Sequence, residues 1–183
     1  MMDRRQLLAA IPASLVTASA LAAGDGSKDV VYLETAHGRV TIQLRPDLAP
    51  NHVKRIETLV KQGFYNGIVF HRVIPGFMAQ TGDPTGTGSG GSSLPDLKAE
   101  FTPTHFVRGT LGMARASSPD SANSQFFICF DKAPFLDGKY TVFGEVTSGM
   151  DVVDKIKKGT ESNNGQVSNP DKIVKMVMAS DAK

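Results

Sequence analysis

One arginine stands among apolar residues in Phe70-His71-Arg72-Val73-Ile74-Pro75-Gly76-Phe77-Met78-Ala79-Gln80, a segment that ends in an amide. A guanidinium cannot be buried beside such neighbours without a large desolvation cost unless it is paired or reaches water. Two placements meet that condition. Arg72 either points into a cleft, as a permanently charged donor, or lays its stem over a sheet edge with its head in solvent.

The other chemistry-bearing residues are less specific. Gly86-Thr87-Gly88-Ser89-Gly90-Gly91 invites a phosphate-binding reading, but Ser92, Ser93 and Pro95 follow in place of a helix, and no Gly-Lys-Ser/Thr is present. Ser89 is not at a nucleophile elbow, because Thr87 occupies the first glycine position of that motif. The loop either lets backbone approach a ligand closely or simply turns. His37, His52, His71 and His105 form no ligand pair, so no metal site is expected. Strand alternation sends His71 to the face opposite Arg72, where a packed, hydrogen-bonded core histidine is the simpler reading. Cys129 lies in Phe126-Phe127-Ile128-Cys129-Phe130 without a neighbouring base, as an inert core thiol would.

These residues must be carried by short elements. Val30 to Thr35 and Arg39 to Leu44 flank His37-Gly38 as a hairpin. Val53, Ile56, Leu59 and Val60 follow helical spacing after Pro46 and Pro50, and Gly63 stands where a C-terminal cap belongs. Pro75-Gly76 joins two strands, and residues 82 to 93 are too rich in glycine for regular structure. Further strands are predicted at Thr110 to Ala114, Gln125 to Phe130, Tyr140 to Val146 and Ile173 to Met178. Met150, Val153 and Ile156 predict a second short helix ended by Gly159.

The 183 residues are about one domain's worth, and 18 Gly with 10 Pro favour a turn-rich, sheet-dominated fold. A formal charge of +2 is too small and dispersed for nucleic acid or an anionic membrane. Arg4 and Arg5, the apolar run from Leu7 to Ala18, and Ala20-Leu21-Ala22 read as a cleaved export signal over residues 1–22, the alternative being an uncleaved anchor. Residues 23–29 then form a flexible lead, and residues 30–183 the single domain. The arginine pair also resembles a twin-arginine signal. Location in the periplasm is expected, with no membrane attachment after cleavage. The single cysteine permits no internal disulfide.

Four collinear motifs carry a resemblance: Phe70 to Gln80, Gly86 to Gly91, Ser124-Gln125-Phe126-Phe127-Ile128-Cys129, and Phe135-Leu136-Asp137-Gly138-Lys139-Tyr140 running on to Val146. From about Val31 to Ala179 the chain resembles the cyclophilin family of peptidyl-prolyl cis-trans isomerases. The resemblance implies a mainly β fold, a closed eight-stranded antiparallel barrel capped by two α-helices. It makes Arg72 the catalytic arginine, assisted by Gln80, with Phe77, Met78, Phe127 and Leu136 around the substrate proline ring. Gln125 would hydrogen-bond the peptide, Gly88 would border a neighbouring pocket, and Ala114, Arg115 and Ala116 would offer backbone groups. Phe135 and Tyr140 complete the rim. Arg115, Phe135 and Tyr140 stand where the commonest eukaryotic pattern has Asn, Trp and His, and loss of the indole implies weak cyclosporin binding.

The resemblance implies isomerisation of X-Pro bonds in folding polypeptides, without cofactor, by a monomer. The alternative on the same fold is a non-catalytic module that holds proline-containing segments as a chaperone. A serine hydrolase built on Ser89 or Ser124 lacks both an elbow and an acid-base partner.

Overall fold

The computed structural model describes residues 28–182, so the expected signal and most of the expected lead lie outside the described residues. Eight strands form one antiparallel sheet: β1 (Val30–Thr35), β2 (Gly38–Leu44), β3 (Arg72–Ile74), β4 (Met78–Thr81), β5 (Thr110–Met113), β6 (Phe126–Cys129), β7 (Val142–Ser148) and β8 (Lys175–Met178). Two helices accompany it, α1 (Pro50–Lys61) and α2 (Met150–Lys155). Strand β8 starts two residues later than Ile173, and α2 ends at Lys155, with Ile156 turning extended, rather than running to Gly159.

The closed barrel is corrected to an open sheet. Hydrogen-bonded order runs β3-β4-β6-β5-β7-β2-β1-β8, and its two ends do not pair with each other. The free edge of β3 is already occupied: Val73 N donates to Gly165 O at 2.7 Å, and Gly159 N donates to Val73 O at 2.9 Å. The loop between α2 and β8 therefore covers the edge that β8 would need, which also protects it from other chains. Irregular segments bridge the remaining gap through Phe70 N to Asp171 O and Gly67 N to Ile173 O.

Apolar alternation explains the main core. Val31 and Leu33 of β1, Val40, Ile42 and Leu44 of β2, Val73, Ala79, Leu111 and Ile128 are all buried against Val53, Ile56, Leu59 and Val60 of α1. Helix α1 ends as its sequence dictates. Gly63 adopts φ 68°, Gly63 N reaches Val60 O and Phe64 N reaches Leu59 O, a paired glycine cap. Its start has Pro50 in the first turn, as expected, but no local side chain caps it. Glu100 does so instead, accepting from Asn51 N, His52 N and His52 Nδ1, the last at 2.6 Å. Burial opposes ionisation of that carboxyl, but the bonds from His52 and Asn51 prevail and lower its pKa.

Candidate active site

The site begins as a row across four strands. Arg72 pairs with Gln80, Gln80 with Phe127, and Phe127 with Gly112, so these four residues share one face of the sheet. A type II-like turn sets that register: Pro75 fixes one corner, Gly76 takes φ 68°, and Phe77 N closes onto Ile74 O at 3.1 Å. Period two then separates the faces. Val73, Ala79, Ile128 and Leu111 enter the main core, while Met78, Phe127 and Cys129 join Phe106, Ala133, Leu136 and Val142 in a second apolar cluster. Gly112 is required here, because a Cβ would run into the rings of Phe127 and Phe106.

Arg72 takes the cleft placement rather than the sheet-edge one. Nη1 donates to Gln80 Oε1 at 3.1 Å, Nε to Asn164 O at 3.0 Å and Nη2 to Asn164 Oδ1 at 2.8 Å. Three of its five N–H groups are thereby used, leaving one on each terminal nitrogen. Burial lowers its pKa from 12.5, and it remains a cation near neutrality. Gln80 passes the order on: its Nε2 donates to Gln125 Oε1 at 2.9 Å, and Gln125 Nε2 donates to Gly88 O and Gly90 O. The guanidinium is thus tied to the glycine loop through two amides whose orientation the network dictates.

Arg72 and Gln80 stand at the mouth of a cleft of about 490 Å³ lined by Phe77, Met78, Ala114, Arg115, Phe127, Phe135, Leu136, Lys139 and Tyr140. Met78, Phe127 and Leu136 are buried, whereas Phe135 is 58% exposed and leans on Phe77 with ring centroids 5.2 Å apart. Across Gln80 lies a second cleft of about 550 Å³, bordered by Gly88, Ala114, Arg115, Ala116, Asp96, Asn123 and Gln125. Every residue that the resemblance places in the site lines one cleft or the other. The backbone offered there is narrower than expected. Ala114 N is held by Gln125 O and Ala116 N by Ser121 Oγ, so among the described residues the Arg115 N–H and Ala114 carbonyl are left without partners.

Three site residues escaped the sequence reading. Asn164, at φ 58°, ends a short turn and holds Arg72 twice; the Asn163-Asn164-Gly165 run signals a turn, but nothing local links it to an arginine 92 positions away. Asn123 organises the second cleft by accepting from Ser92 and donating to Leu94 O and Asp96. Asp83, fully buried, shapes the glycine loop by accepting from Thr85 N, Thr85 Oγ1 and Gly88 N.

Burial alone would raise the Asp83 carboxyl, but the bonds from Thr85, Gly90 and Gly88 outweigh it and lower the pKa from 3.8 to about 2. A depressed folded pKa gives stability that is complete above the unfolded value and lost as pH falls through the folded one. Asp83→Asn is therefore expected to cost about 2 kcal/mol in denaturant melts at pH 7. The gap to wild type should shrink between about pH 4 and pH 2, and a constant gap would exclude this role for the charge.

His71 is buried as expected, but both ring nitrogens lack a hydrogen-bond partner among the described residues, contrary to the hydrogen-bonded reading. Desolvation lowers its pKa and keeps the ring neutral near pH 7. Cys129 is buried and its thiol is pushed up to about 12, chiefly by desolvation, which leaves it inert. No group of three metal-ligating side chains occurs among the described residues.

Comparison with known proteins gives a consistent pattern. A family model described as cyclophilin type peptidyl-prolyl cis-trans isomerase/CLD matches residues 30–178. A protein of Brucella suis described as a "Probable peptidyl-prolyl cis-trans isomerase" is 54% identical over 186 residues, covering 96% of this chain and 95% of the relative. An Aspergillus fumigatus "Peptidyl-prolyl cis-trans isomerase-like 1" is 46% identical, over 70% of this chain and 81% of its own. A crystal structure of a cyclophilin from Hirschia baltica superposes with a TM-score of 0.75 at 30% identity, covering 86% of this chain and 76% of that one. A Cryptosporidium parvum cyclophilin type isomerase, crystallised in the presence of the dipeptide Ala-Pro, gives 0.75 at 31% identity, covering 81% and 98%.

Proposed function

This chain belongs to the cyclophilin family and is a peptidyl-prolyl cis-trans isomerase, and from that premise we propose that Arg72 is its catalytic residue, acting on a proline ring seated over Phe127. One observation carries the reading: a guanidinium with two uncommitted N–H groups stands at the mouth of a cleft whose floor is the buried Met78, Phe127 and Leu136.

Rotation about an X-Pro bond faces a barrier of about 20 kcal/mol because resonance gives the C–N bond partial double-bond character. No bond need break. In the twisted state the prolyl nitrogen regains its lone pair, so a donor aimed at it binds the transition state more tightly than the planar ground state. Arg72 supplies that donor, Gln80 and Asn164 hold it in place, and the apolar floor keeps competing water away. Turnover of about a thousand per second needs roughly 7 kcal/mol of barrier reduction, within the reach of positioning and electrostatics. Ala114 C=O, Arg115 N–H and Gln125 hold the extended peptide beside it. Pure binding without turnover would not need a donor at the pocket mouth. A protease-free isomerisation assay on residues 23–183 tests this directly, and peptide binding without rate enhancement would favour the chaperone alternative.

The substrates are proline-containing segments of folding polypeptides, and the chain works as a monomer on exported proteins in the periplasm. Arg4-Arg5, the apolar run and Ala20-Leu21-Ala22 support cleavage after residue 22. N-terminal sequencing of the exported protein should begin at Ala23; a retained Met1 would sink that assignment. Cyclosporin binding is weak, because the chain contains no Trp and Phe135 offers no indole N–H. Inhibition of the isomerase should need micromolar drug or more, and a nanomolar constant would contradict it.

A further inference from the structure

The Arg115 side chain spans the groove. Nε and Nη2 donate to Lys139 O at 3.3 and 3.0 Å, and Nη1 donates to Ala116 O at 3.0 Å. Its Cζ lies 4.5 Å from the centroid of the Tyr140 ring. Tyr140 in turn stands edge-on to Phe127, centroids 6.0 Å apart and planes at 81°. The contacts form one line: strand-end backbone at 114–116, guanidinium, Tyr140, Phe127. Backbone presentation alone would not require such a side chain, since any residue offers an N–H.

We propose that Arg115 is a positioning residue, whose guanidinium fastens the 138–140 turn to the 114–116 segment and so fixes Tyr140 as a wall of the proline pocket. Lys139 and Tyr140 enter β7 from a one-turn helical segment at Pro134–Leu136, and their amides return only to Leu136 O, at 3.0 and 3.2 Å. Among the described residues the link from this turn to the opposite lip runs through Arg115 and through Thr141 O, which accepts from Met113 N. Nη1 also donates to Ser117 O at 3.4 Å, so four of the five Arg115 N–H groups are committed to backbone carbonyls and one on Nη2 is left. Its main action is therefore to hold these segments together, whereas Arg72 keeps two N–H groups for the substrate.

A wall that contacts the proline ring equally in planar and twisted amides contributes uniform binding, which appears in KM and not in kcat. The inference rests on the isomerase reading above, and wild-type activity tests that reading separately. Exchange NMR on an Ala-Pro peptide reads both constants. Arg115→Ala should raise KM about five-fold with kcat reduced less than two-fold, the scale of a partly desolvated cation–π contact. Arg115→Lys, which keeps a cation over the ring but loses the planar fork, should fall between. In a Tyr140→Ala background the Arg115→Ala effect should vanish, as coupled residues are non-additive. An unchanged KM, a loss confined to kcat, or additive effects in the double variant would each overturn the proposal. So would full recovery by Lys. Denaturant melts of each variant separate these outcomes from a loss of folded protein.

Discussion

Arg72→Ala should lower kcat/KM on an Ala-Pro peptide by about a hundred- to a thousand-fold, the usual cost of removing one donor to a developing charge. The far-ultraviolet circular dichroism should not change. That separation follows from where the residue sits. Its hydrogen bonds run to Asn164 and Gln80 at the mouth of the cleft, and neither belongs to the main core. Arg72→Lys keeps the charge but cannot serve three acceptors in one plane, so it should recover less than about ten-fold. Asn164→Ala should give a smaller loss, because it removes the side-chain oxygen that holds Nη2 and leaves the backbone carbonyl that holds Nε. Activity should be nearly flat from about pH 6 to pH 9, because Arg72 stays charged and burial keeps His71 neutral. Full activity of a folded Arg72→Ala protein would exclude Arg72 as the catalytic group.

Local signals made much of this site readable in advance. Arg72 and Gln80 are brought face to face by a Pro-Gly turn only a few residues long, and Gly63 ends α1 through a cap that depends on its own neighbours. The motif resemblance added Phe127 and Leu136, which the chain brings from 45 or more positions away. What stayed hidden depends on long-range competition for hydrogen bonds. Glu100 caps a helix that starts fifty residues earlier, and Asn164 grips Arg72 from the last quarter of the chain. The closed barrel failed for the same reason. Sequence patterning marks β3 and β8 as strands, but not that residues 159–166 take the edge of β3 first.

Phe127→Ala should be the most damaging single change in the molecule, because one ring serves both the second apolar cluster and the pocket floor. Phe127 is 5% exposed, stacks on Phe106 at 5.8 Å and meets the edge of Tyr140. Truncation of such a ring costs about 3–5 kcal/mol. That corresponds to a fall in melting temperature of roughly 10 °C for a domain of this size. Total stabilities of 5–15 kcal/mol leave the variant folded in the cold, where its chemistry can be measured. There kcat/KM should drop by a further ten-fold or more, since the proline ring loses its floor and water gains access beside Arg72. Phe127→Leu keeps most of the volume and should recover stability to within about 1.5 kcal/mol. It should recover less of the activity, because a flat ring facing a proline is replaced by a branched chain. Normal activity in a destabilised Phe127→Ala protein would mean that the proline ring sits elsewhere. Normal stability with lost activity would mean that the second cluster does not depend on this ring. Gly112 supports the coupled outcome: it is the one residue on that row with no side chain, and its vacancy is filled by the Phe127 and Phe106 rings.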